Sequence, residues 1–88
     1  MSPLRKQMEA DMAIRGLAHR TRESYVDSVV KLAKFYGRGP DQISETEVQQ
    51  YLLHLLEERK LAHSSCNIVC SALEFFYRTT LKRRETEF

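Results

Sequence analysis

Apolar residues recur at helical spacing in four stretches of the chain, separated by short polar connectors. Leu4, Met8 and Met12, continued by Leu17, form the first stripe and predict a helix from about Pro3 to Ile14. Ser2 suits its N-cap, Pro3 its first helical position, and Gly16 its stop. Tyr25, Val26, Val29, Leu32, Ala33 and Tyr36 form the second stripe and predict a helix from about His19 to Tyr36, ended by Gly37, Gly39 and Pro40. The third helix has the clearest start. Ser44 and Glu47 have capping-box spacing, and Ile43 and Val48 stand where a hydrophobic staple would close. Val48, Tyr51, Leu52, Leu55 and Leu56 are its core face, and Arg59 and Lys60 lie near its negative end. After the connector Leu61-Ala62-His63, a fourth helix is expected to start behind Ser64 or Ser65 and to reach about Leu81. Its apolar set is Ile68, Val69, Ala72, Leu73, Phe75 and Phe76. The stripes are broader than a two-per-heptad seam, which predicts an all-α fold, a compact four-helix bundle, and not an extended coiled coil.

Composition agrees with this pattern. The 88 residues suffice for one domain, with three Gly, two Pro, no Trp, and four Phe and four Tyr for bulk. That domain is expected over residues 1–84, with a frayed tail over 85–88. No apolar run approaches the roughly 20 residues of a membrane span, and the start of the chain lacks the apolar stretch of a signal peptide. Cys66 and Cys70 do not make a disulfide framework, so both thiols are read as reduced, in a cytoplasmic protein.

The net charge of +2 identifies no partner by itself; the placement of the charges is more informative. Arg20, Ser24, Asp27, Lys31, Lys34 and Arg38 follow at helical spacing on the second helix, beginning at an N-terminus that favours anions, with Thr21 and Arg22 at the same end. Asn67, Ser71, Glu74, Arg78 and Lys82 form a comparable stripe on the fourth, opened by Ser64 and Ser65 and extended by Arg83 and Arg84. Short polar side chains suit close approach to a DNA backbone or base edge, and Lys and Arg suit phosphates. Glu74 opposes such contact. Glu45, Glu47, Glu57 and Glu58 make the third helix acidic, so it should face away from DNA or meet another protein.

The order of these features resembles a known family. Arg20-Thr21-Arg22-Glu23-Ser24-Tyr25-Val26 is followed by Leu32-Ala33-Lys34-Phe35-Tyr36, then by the capped segment from Ile43 to Leu52. Ser64-Ser65-Cys66-Asn67-Ile68 and Ser71-Ala72-Leu73-Glu74-Phe75-Phe76-Tyr77 close the series. From about Leu4 to Leu81 this resembles the N-terminal core-binding, SAM-like domain of tyrosine recombinases and phage integrases, most nearly the integron-type and short bacterial site-specific integrases. The resemblance implies a domain that clamps double-stranded DNA with its second and fourth helices, opposite a larger catalytic domain, while the first helix meets other recombinase subunits. Carried over by position, Thr21, Arg22, Ser24, Tyr25 and Lys31 fall in the DNA-facing second helix and Ser65, Asn67, Ser71 and Arg78 in the fourth; the charge stripes add Arg20, Lys34 and Lys82 to the expected DNA-binding residues. Tyr25 has two readings, a ring in the core and a hydroxyl on phosphate. Phe75 and Phe76 are read as core.

The resemblance also implies an Arg–His–Arg set and a tyrosine nucleophile in the catalytic domain, which lies outside this chain, so the fragment alone is not expected to be an enzyme. Tyr25, Tyr36, Tyr51 and Tyr77 are not assigned that role. His63, Cys66 and Cys70 have helical spacing, but three ligands are too few for a closed zinc site, and no metal or cofactor is expected. Two other functions fit the pattern less well. One is a helical protein-interaction module using the first and third helices. The other is a helix-turn-helix regulator, for which the loop from Gly37 to Ile43 is long. The fragment is expected to be a monomer or a weak dimer.

Overall fold

Helix α1 (Pro3–Ile14) opens the fold and α2 (His19–Tyr36) follows after a tight turn. A 3-10 turn (Pro40–Gln42) leads into α3 (Glu45–Glu57), and α4 (His63–Phe75) continues into a π-helical turn (Phe76–Thr80). This computed structural model describes residues 3–81, so Ser2, Lys82, Arg83, Arg84 and the tail over 85–88 lie outside the described residues. The described residues contain no strand. The Cα radius of gyration, 12.3 Å, equals that of a compact domain of this length, about 12 Å.

The connections follow from local chemistry. Gly16 takes φ +71° and Gly37 φ +64°. Each ends its helix in a Schellman motif: the Gly16 amide donates to the Ala13 carbonyl and the Leu17 amide to Met12, while Gly37 and Arg38 do the same to Lys34 and Ala33. A side chain at either position would be forced into the left-handed region. At the start of α3, Ser44 Oγ accepts from the Glu47 amide at 3.2 Å, and Glu47 Oε1 accepts from the Ser44 amide at 3.0 Å. The expected capping box is therefore complete. Ile43 and Val48 are both fully buried beside it.

Two boundaries and one core assignment differ from the sequence pattern. Lys60 takes φ +51° and turns the chain at once, so α4 begins at His63 with Ala62 as N-cap. Ser64 and Ser65 consequently lie in its first turn and do not precede it. The α-helical part of α4 ends at Phe75, where the hydrogen bonding widens to the π pattern. Ile68 is not core: it is 50% exposed, because Val69, Leu73, Phe76 and Tyr77 occupy the inward side of α4 and Ile68 lies about a third of a turn off that line.

The core joins Met8 and Met12 of α1, Val26, Val29 and Leu32 of α2, Val48, Tyr51 and Leu55 of α3, and Leu73, Phe76 and Tyr77. Three side-chain bonds then tie distant segments together. Tyr36 Oη donates to the Glu47 carbonyl at 2.6 Å, Tyr77 Oη to the Pro40 carbonyl at 2.7 Å, and Thr80 Oγ1 to Asp11 Oδ2 at 3.1 Å.

Glu47 also pairs with Arg38, whose guanidinium lies 5.2 Å from the centre of the Tyr36 ring. The Arg38 hydrogen bond, followed by the Ser44 amide, lowers the Glu47 carboxyl from 4.5 to about 2. A carboxylate depressed on folding contributes stability that is present above its unfolded value and lost as pH falls through the folded one. Glu47→Gln keeps the capping geometry and removes the charge. The melting temperatures of the two proteins should therefore differ at pH 6 and converge as pH falls from 4.5 towards 2. A difference that does not change across that range would show that the charge contributes nothing.

Candidate nucleic-acid interface

Helices α2 and α4 pack closely along their length, and a shallow trough follows their seam on the outside. Its middle is lined by Arg20, Thr21, Ser24 and Tyr25 from α2 and by Asn67, Ile68 and Ser71 from α4. Ser24 and Ile68 are shared with a depression that continues towards α3, past Lys31, Lys34 and Ser65 to Arg59 and His54. Tyr25 and Ser71 are shared with a depression at the opposite end, which holds Glu74, Phe75, Arg78 and Thr79 and is bordered by Arg15. The three depressions thus form one continuous surface.

Ten of the twelve sequence-derived residues line this surface. Arg20, Ser24, Lys31, Lys34, Ser65, Asn67, Ser71 and Arg78 are exposed, and Thr21 and Tyr25 are half-buried. Tyr25 packs its ring against the core, 6.2 Å from that of Phe75, and also lines the trough. Phe76 is buried, whereas Phe75 is half-buried and lies beneath the Arg15 guanidinium, 5.7 Å from the ring centre. Arg22 is not brought to the trough. It lies four residues before Val26 on the inward-turned side of α2, and its Nε is buried without a hydrogen-bond partner. Lys82 lies outside the described residues.

Acidic neighbours temper the charge of the surface. Lys31 Nζ is 3.0 Å from Asp27, and Arg78 Nη1 is 3.1 Å from Glu74, each pair one helical turn apart and exposed. Both helices of the trough also begin without a side-chain cap, at Ala18 and Ala62, whereas α3 is fully boxed. First-turn amides in such ends suit an anion.

Arg15, Arg59, His54, Phe35 and Ile68 join the surface although the sequence pattern did not assign them to it. Arg59 was legible as a cation at the end of α3, but its position beside Lys31 requires the packing of α3 on α4. Arg15 had no local signal. Phe35 is 48% exposed, with its ring 4.8 Å from that of His54 and 5.1 Å from Tyr51.

Cys66 is buried and Cys70 half-buried. Burial, reinforced by Glu74 and Cys66, pushes the Cys70 thiol up, which disfavours a thiolate and fits a packing role. Among the described residues no three His, Cys, Asp or Glu side chains gather as metal ligands, and no helix is long and apolar enough to cross a membrane.

A protein-family model described as phage integrase, N-terminal SAM-like domain, matches residues 4–87. The chain is 37% identical over 83 residues to the integrase/recombinase y4qK of Sinorhizobium fredii (strain NBRC 101917 / NGR234). The match covers 94% of this chain and 27% of that protein, so the chain spans about a quarter of the length of the curated relative. No solved structure matches it.

Proposed function

Because the chain belongs to the phage integrase N-terminal SAM-like domain family, we propose that it holds duplex DNA for a tyrosine-type site-specific recombinase, along the trough between α2 and α4. The observation that carries this reading is the continuity of the trough. Residues chosen from charge and spacing on two separate helices line one surface, with cations towards both ends and, between them, short polar side chains beside Arg20. Lys31, Lys34 and Arg59 would meet phosphates at one end, Arg15 and Arg78 at the other. Thr21, Ser24, Asn67 and Ser71 would lie over the groove between. Arg22, held on the inner side of α2, would take no direct part.

Strand cleavage and rejoining in the whole recombinase belong to a catalytic domain outside these residues. This chain positions DNA and supplies no nucleophile. Other recombinase subunits would meet the apolar groove between α1 and α2, lined by Leu4, Met8, Val30 and Ala33, and the acidic outer side of α3.

Titration of a duplex oligonucleotide into the isotopically labelled chain should shift the amide resonances of α2 and α4, and of His54 and Arg59 at the end of α3, and leave the capped start of α3 unmoved. Affinity should fall steeply between 50 and 200 mM salt, since each neutralised phosphate lowers the slope of log K against log salt by about 0.9. Resonances of α2 and α4 that do not move with duplex, while a partner protein shifts those of α1 and α3, would instead assign the chain to protein interaction.

A further inference from the structure

Ile68 lies outside the core, with half of its surface exposed. It is one of four large apolar side chains left exposed among the described residues, with Ile14, Phe35 and Leu53. Its place separates it from Ile14 and Leu53, for it stands in the middle of the trough, between Asn67 and Ser71 on α4 and facing Thr21 and Ser24 of α2. The inward side of α4 is already filled by Val69 and Leu73. Of the residues that line the middle only Arg20 is charged, and the other cations of the trough lie towards its two ends, which leaves the neutral side chains of the middle for base edges.

Resting on the DNA-holding role, we infer that Asn67 and Ile68 form a base-reading pair for an A·T-containing step in the major groove. The Asn67 amide matches the acceptor and donor that adenine presents at N7 and N6, and no other base offers that combination. The Ile68 side chain covers the 5-methyl group of thymine, the one apolar feature of the major-groove edge. The flanking Ser64, Ser65 and Ser71 are small, so the helix backbone approaches closely enough for both contacts. The two side chains are adjacent in sequence and about 100° apart around the helix, which directs them to neighbouring bases.

The test begins with selection of tight-binding duplexes from a random pool by the unmodified chain. In the selected duplex each thymine is replaced in turn by deoxyuridine, which removes only the methyl group. At one position this should weaken binding about three- to fivefold, the worth of one buried methyl group. Ile68→Ala should lose that penalty, Ile68→Thr, which keeps a γ-methyl, should retain it, and Asn67→Ala should relax the choice of adenine at least fivefold. Unchanged melting curves establish that the variants are folded. Binding that is indifferent to deoxyuridine at every position, or a penalty that survives Ile68→Ala, would overturn the base-reading pair while leaving the DNA-holding role intact. Failure to bind any duplex at low salt would overturn that role, and the pair with it.

Discussion

Lys31→Glu combined with Arg78→Glu should weaken duplex binding about 100-fold or more while lowering the melting temperature by no more than a few degrees. The two residues lie at opposite ends of the α2–α4 trough. Reversing both changes the local charge by four units. A unit charge about 4 Å from a phosphate is worth about 1 kcal/mol in water, and salt damps this, so roughly 3 kcal/mol, or about a hundredfold, is a fair sum. Stability should change little, because the exposed pairs Lys31–Asp27 and Arg78–Glu74 contribute at most about 1 kcal/mol each. The converse change is equally informative. Asp27→Asn with Glu74→Gln removes the carboxylate beside each cation and should tighten binding and steepen its salt dependence. Fluorescence anisotropy across a salt series measures both, and equal affinities for all three proteins would remove DNA from this surface.

Phe76→Ala should destabilise the fold by about 3–5 kcal/mol, the range for removing a buried aromatic ring. Phe76 is 1% exposed and meets the Tyr77 ring edge-on at 5.2 Å. For a domain whose total stability is about 4–13 kcal/mol, such a loss leaves a substantial unfolded population at 37 °C. Tyr77→Phe should cost only about 1 kcal/mol, because it removes the bond to the Pro40 carbonyl and keeps the ring. Urea denaturation of both variants checks the contrast. A Phe76→Ala cost below 1 kcal/mol would mean that the ring is not a core element.

What was legible in the sequence was what is decided locally. The bounds of α1 and α2 follow from apolar spacing and from glycines that alone tolerate the left-handed turn. The capping box of α3 is a contact between residues three apart. Charge and place at the helix start group Arg22 with the DNA-facing residues, whereas its angle, about 200° around α2 from Arg20, points it towards Val26 and Val29. The start of α4 was obscured because alanine caps it, leaving no polar signal. The exposure of Ile68 was hidden because α4 carries apolar residues on more than half of its circumference, and only packing against α2 and α3 decides which of them face inward. Arg15 and Arg59 reach the trough through the docking of α1 and α3, which no local pattern contains.

The bond between Thr80 and Asp11 joins residues 69 apart, and α1 rests on the π-helical turn that bears Thr80. During synthesis α1 is made first yet finds half its partners last. Until Phe76 and Tyr77 leave the ribosome, α1 lacks the π-helical turn and has α2 as its main cover. The nascent domain therefore passes through an interval in which its first helix is sticky and unfinished, and closure comes as one late event, not as growth from the amino end. A chain that stopped before Phe76 would leave α1 without the turn on which it rests.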